Sequence, residues 1–309
     1  MKFVLSILIL LVFSFQSFAQ LDSAEVYRQL FEDDESLEII EEDDDEDEEG
    51  IPIFLALQTS LYFPNNAYAN YYNGSVLDVA TGLVPKYTIQ SIWDSPNNKP
   101  LIIEDLGLTQ DEYDGVLFNQ SNFNYKMRYD IGFLIGFQAY FAFLPRLALQ
   151  LGFNFVSLNT ASVITIDIPE TNGTPNSNIL QMEVFGKEQR FIIDLGVHSI
   201  LGKRDLKYYI EGGGNFLMTK ANDNYFKTSE TRQWNLKRTT SNLAANTITS
   251  FTLGAYFGGG FFFQMNESFA FELGGQVAIN EIQFPGYGGY FANYLVNLRI
   301  FFLGKNSQL

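Results

Sequence analysis

The chain has 309 residues, no cysteine, one histidine, and 19 Lys+Arg against 36 Asp+Glu, a formal net charge of −17. No cysteine means no disulfide, no thiolate metal site and no cysteine nucleophile, and a single histidine argues against a His-built metal centre or triad. The acidic balance opposes the phosphate-neutralising surface that nucleic-acid binding needs, so no nucleic acid, cofactor or metal is expected.

In chain order, Met1-Lys2 is a short positive region, Phe3 to Phe15 is apolar, and Ser17-Phe18-Ala19 offers small residues before a cleavage point. Residues 1–19 therefore read as a secretory signal peptide. The stretch is too short for a bilayer-spanning helix, which takes about 20 apolar residues. Residues 20–50 follow as an acidic tail. Between 21 and 49 lie 16 acidic residues and one basic one, Arg28, and Glu41 to Glu49 is an unbroken carboxylate run. Like charges repel and resist burial, so this tail is expected to be disordered and periplasmic. It reads as a solvated spacer or as a docking arm for a basic periplasmic protein.

From Ile53 the pattern alternates with period two, and eight strands are expected. The first sets Ile53, Leu55, Leu57 and Leu61 against Ala56, Gln58 and Ser60. The others centre on residues 129–141, 147–155, 190–198, 207–216, 253–264, 269–279 and 293–302. One face is Leu, Ile, Val and Phe; the other is Gly, Ala, Gln and Asn with isolated charges. That distribution suits a narrow filled interior and a lipid-facing exterior. The backbone in lipid must be fully paired, so the sheet must close. The expectation is an all-β, eight-stranded antiparallel transmembrane up-and-down barrel over residues 51–309. It would sit in the outer membrane of a Gram-negative bacterium with both termini periplasmic.

Connections support the orientation. Those at Ala142 to Arg146, Gly202 to Asp205 and Met265 to Ser268 are tight. Those at 64–121, Pro169 to Asn178, 219–249 and Asn280 to Gly289 are longer and read as extracellular loops. Aromatic residues gather near both strand ends, Phe301 and Phe302 among them, as two interfacial girdles.

Candidate functional residues lie on the polar face. Gln58, Gln138, Gln150, His198, Glu211, Glu272 and Arg299 fall at similar depth, with Arg190 and Asp194 on the same face. Eight strands enclose a space that side chains just fill, so a hydrogen-bonded plug is expected. Glu272 and Arg299 belong to hairpin partners and should meet. No catalytic role is expected, because His198 sits near a tight turn, away from the outer rim. A small-solute or hydrophobic-molecule transport barrel is the alternative. In the loops, Tyr71, Tyr72, Trp93, Trp234, Lys237 and Arg238 suit a surface contact or a cap folded on itself.

The runs Met127-Arg128-Tyr129, Gly186-Lys187-Glu188-Gln189-Arg190-Phe191 and Tyr209-Ile210-Glu211-Gly212-Gly213 open or occupy strands, and together they resemble the PorT-like outer-membrane barrels. The resemblance covers roughly Ile51 to Phe302. It implies an eight-stranded barrel and, for some members, a link to protein-secretion machinery of the envelope. It carries no catalytic residue.

Overall fold

The computed structural model describes residues 52–74, 88–116, 118, 127–144, 146–168, 178–203, 206–236, 248–265, 269–284 and 287–302. The expected signal peptide, the acidic tail, Lys237 and Arg238 lie outside these residues. The described chain is all-β in its framework, with its strands in one antiparallel sheet. The strands are β1 (Ile53–Phe63), β2 (Arg128–Tyr129), β3 (Gly132–Leu144), β4 (Leu147–Ile168), β5 (Asn178–Lys203), β6 (Leu206–Lys227), β7 (Gln233–Asn235), β8 (Ile248–Gln264), β9 (Phe269–Phe284) and β10 (Tyr287–Phe302).

Eight of the ten are long, and each long strand pairs with two long neighbours. The path runs β4-β3-β1-β10-β9-β8-β6-β5, and β4 also pairs with β5. Register can be followed around this path. Ile200 pairs with Tyr209, then Gly260, Gly274, Asn297, Ser60, Leu134 and Val156 follow, and Val156 pairs with Arg190. The circuit returns to β5 ten residues from where it left. The short strands β2 and β7 pair only with β4 and β6.

Side chains sort by parity along every long strand. On one face, apolar side chains are exposed: Phe191 to Leu201 on β5, Phe251 to Phe261 on β8, Phe269 to Ile279 on β9 and Tyr294 to Phe302 on β10. These spans cover nine to eleven residues. Leu253 is 73% exposed and Phe257 67%, so apolar groups are displayed where a water-soluble sheet would hide them. Beyond this belt β4, β5 and β6 continue as a wall whose outward positions, Asn159, Lys187 and Asp223, are exposed and polar.

Three connections differ from the sequence expectation. Asn280 to Gly289 is a hairpin in which Phe284 pairs with Tyr287. Its polar residues mimic a loop, yet Asn280, Ile282 and Phe284 alternate inward and are buried. The 219–249 segment begins as strand: β6 runs on to Lys227, with a register shift opposite Lys187 and Glu188, and β7 folds back on it. The described parts of the 64–121 insert hold a 3-10 turn and short helices, and β2, which holds Tyr129, precedes β3 at Gly132. Phe301 also turns inward, 5% exposed, against Tyr140 and Phe262, because the period of two gives Phe302 alone to the outer face.

The insert contains a 3-10 turn (Tyr68–Tyr72) and helices α1 (Ile89–Trp93), α2 (Lys99–Leu106) and α3 (Gln110–Gly115). Local sequence sets their ends. Thr88 and Ser91 form a capping box on α1, as do Thr109 and Glu112 on α3. Pro100 sits in the first turn of α2, and Gly107 ends it at φ 65°. Trp93 stacks on Tyr113 at 4.8 Å, and the Tyr113 hydroxyl donates to the Trp93 carbonyl. Burial pushes that hydroxyl up to about 12.

Candidate functional site

The inward face holds charge in two layers. In the lower one, Arg299 Nη1 and Nη2 donate to Glu211 at 2.7 and 2.8 Å, Nη1 also to Glu272 Oε2 at 3.1 Å, and Nε to Gln58 Oε1 at 2.9 Å. Glu272 Oε1 lies 2.7 Å from His198 Nε2. Gln138 donates to Gln58 Oε1 at 2.8 Å and accepts from Gln150 at 3.3 Å. Asn154 bridges the next level, donating to Asp194 Oδ2 at 2.7 Å. Seven of the nine expected polar residues therefore meet in one network, and Asp194 joins it through Asn154.

Arg190 belongs elsewhere. Its Nε donates to Glu188 Oε1 at 2.6 Å and its Nη1 to the Tyr62 hydroxyl at 2.8 Å. Tyr72 and Tyr129 both donate to Glu188 Oε2, at 2.9 and 2.8 Å. Glu188 and Arg190 are both wholly buried. Leu134, Val156, Ile192, Leu217, Ala278 and Leu295 occupy inward positions between the two charged layers. Below the lower layer, Phe54, Tyr140, Phe262 and Phe301 form an apolar floor. A charge in such surroundings is tolerated only when its hydrogen bonds are made, which both arginine clusters largely achieve.

Glycine makes the crowding feasible. A Cβ on Gly152 would stand 2.2 Å from Gln138 Oε1, and one on Gly274 would stand 2.2 Å from the Tyr209 hydroxyl. Long polar side chains can cross the interior because these positions have no side chain.

The upper layer is closed by the insert. Tyr68 donates to the Gly289 carbonyl at 2.7 Å and to that of Asn280 at 3.0 Å. Burial first, then the Glu188 carboxylate, holds the Tyr72 hydroxyl protonated and donating. Tyr71, Tyr72 and Trp93 are 3%, 0% and 2% exposed. They form the core of a cap and do not offer the aromatic contact surface that loop composition suggested, because the projecting strands give them an apolar face to bury against. Trp234 is half-buried, stacked on Phe226 with its Nε1 donating to Thr228 at 3.0 Å. The insert is latched to β6–β7 by Asp105, which accepts from Arg232 at 3.1 Å and from Thr228 at 2.8 Å.

Sequence reasoning missed Glu188, Tyr62, Tyr129 and Asn154. The signal was available for Glu188, which shares strand parity with Arg190, Asp194 and His198. His198 lies between Tyr140, edge-on with centroids at 5.0 Å, and Tyr209, stacked at 5.3 Å, and Glu272 is the described partner of its Nε2. Among the described residues no group of three or more His, Cys, Asp or Glu could hold a metal ion.

No protein-family model matches the chain, and no curated protein matches it. Solved structures show some likeness to the chain. Neisserial surface protein A (NspA) is 6% identical with a TM-score of 0.40, over 83% of this chain and 100% of that one. OprG from Pseudomonas aeruginosa is 12% identical with a TM-score of 0.33, over 82% and 98%. The translocator domain of the autotransporter NalP from Neisseria meningitidis is 10% identical with a TM-score of 0.26, over 84% and 90%.

Proposed function

We propose that the chain is an eight-stranded antiparallel up-and-down barrel spanning the outer membrane of a Gram-negative bacterium, with both termini periplasmic. On this reading it acts without catalysis, as a structural or interaction component of the envelope. The carrying observation is the inversion of the sheet: charge and amide inward, hydrocarbon outward. Exposed apolar spans of nine to eleven residues match the 9–11 or so that a tilted strand needs to cross the hydrocarbon. The circular pairing leaves the long strands no open edge within that belt, as lipid demands. Eight staggered strands leave only enough interior for side chains.

The layers support a plugged lumen. An ion would have to break the Arg299 cluster, cross the apolar layer, break the Arg190 cluster and displace the insert. Recordings from the purified protein in planar bilayers are expected to lack steady conductance; large, stable steps would defeat the plugged reading and favour the transport alternative. The PorT-like resemblance extends the proposal to envelope or secretion machinery, with the acidic tail as a docking arm for a basic periplasmic protein. Affinity purification from envelopes with and without residues 21–49 tests this. A partner lost only on truncation supports the arm, and an unchanged partner set makes the tail a spacer.

A further inference from the structure

The acidic tail enters the sheet at a basic end. β1 starts at Ile53, in register with Phe141 of β3, and Leu55 is in register with Phe302 of β10. That end therefore carries the β3–β4, β5–β6 and β8–β9 connections and the chain beyond β10. In sequence, these segments and the strand ends beside them hold Arg146, Lys203, Arg204, Lys207 and Lys305 against Asp205 and Glu267, a net +3. Glu41 to Glu49 carries nine carboxylates, and only Gly50, Ile51 and Pro52 separate it from β1.

The fold gathers the described cations. The Arg146 carbonyl accepts from Ile200 N at 3.0 Å, which ties the β3–β4 turn to the end of β5. Lys203 is the last residue of β5, and Lys207 is in register with Gly202 and with Phe262 of the apolar floor. The carboxylates inside the barrel do not neutralise this end. Glu211 and Glu272 are held by Arg299 on the other side of the floor. The ion pairs among the described residues do not include Arg146. Arg146 also stands at φ 71°, a position where glycine is less strained, so the turn itself does not call for arginine. The four strand spacings from β1 to β6 add to about 20 Å. Nine extended residues reach about 30 Å, so the run can cover this arc from its root.

We propose that the carboxylate run Glu41–Glu49 docks on its own barrel, across the end that carries Arg146, Lys203 and Lys207. The contact rests on the shared end of the sheet and needs neither a membrane nor a partner. It goes beyond the docking arm of the proposed function, because a basic partner must then displace the run from the barrel.

The test uses the full chain purified in nonionic detergent. Carbodiimide coupling joins carboxylates to lysine amines in contact, and mass spectrometry maps the products. Intramolecular links from residues 41–49 to Lys203 and Lys207 are expected in dilute buffer. They should be lost in about 1 M salt, where the Debye length is about 3 Å. A variant with Glu41–Glu49 exchanged for Gln and Asn leaves the barrel untouched. In it, Lys203 and Lys207 should be acylated several-fold faster than in the wild type, with Lys187 at the other end unchanged. Equal acylation, or links only between two chains, would overturn the proposal. So would links in zwitterionic nanodiscs that vanish in anionic ones, since lipid headgroups would then hold this end. Insertion into the nanodiscs reports on the membrane reading, and the links report on the tail.

Discussion

Arg299 and Glu272 face each other as registered partners on β10 and β9, joined by a 3.1 Å bond, while the same guanidinium grips Glu211 with both terminal nitrogens. Three strands are tied through one side chain. The arrangement serves geometry more than energy, because burying these ions costs nearly what their attraction returns.

Removing one member exposes that balance. Arg299→Met leaves two buried carboxylates without their cation and should destabilise the protein by roughly 3–5 kcal/mol. Replacing Arg299, Glu211 and Glu272 together by Met and Leu should cost much less. Urea unfolding in detergent, followed by heat-modifiable gel migration, measures both. A triple variant as unstable as the single one would show that the pair's own energy matters.

Two adjacent glycines separate the faces. A Cβ on Gly213 would lie 2.2 Å from the Leu195 carbonyl oxygen, whereas on Gly214 its nearest contact is 3.7 Å away. Gly213→Ala is therefore expected to cost about 1–3 kcal/mol through overpacking. Gly214→Ala should stay within about 0.5 kcal/mol. Heat-modifiable gel migration and urea midpoints distinguish them.

The insert should loosen independently of the sheet. Tyr72→Phe removes the hydroxyl that donates to Glu188 at 2.9 Å, a bond to a charged group worth about 1.5–3 kcal/mol. Amide exchange in residues 65–74 should quicken, while exchange in β8 and β9 stays slow. Equal acceleration throughout would mean that the insert and sheet unfold as one unit.

The cap should lose stability at low pH. Hydrogen bonds from the Thr109 backbone and side chain hold Glu112 below the usual glutamate range, and Lys99 then Gln110 hold Asp114 below the usual aspartate range. Depressed folded-state values give stability that is present above the unfolded pKa and lost as pH falls through the folded one. Carboxylate titration by NMR should find both midpoints low, with α3 fraying as they are passed. Ordinary midpoints would remove the cap's acid sensitivity.

Much of the framework is written in local sequence. The run Ile53 to Phe63 states its own period, and so does Phe269 to Ile279, because a strand sends neighbours to opposite faces whatever surrounds it. The tight turns at Gly202 and Met265 are equally local. The hairpin at Asn280–Gly289 was hidden because outward residues beyond the apolar belt face water and look like loop. Strand ends there depend on where the belt stops, a property of the assembled sheet.

The sequence by itself determined which side chains share a face and that charge would lie opposite hydrocarbon. Only the tertiary structure decided which charges meet. Arg190 finds Tyr62 at 128 residues' separation and Arg299 finds Glu211 at 88, distances over which no periodicity carries information. It also decided that Tyr71, Tyr72 and Trp93 would be buried, since an aromatic residue in a loop becomes core only when another element brings an apolar surface to it, here the inner face of β4–β6.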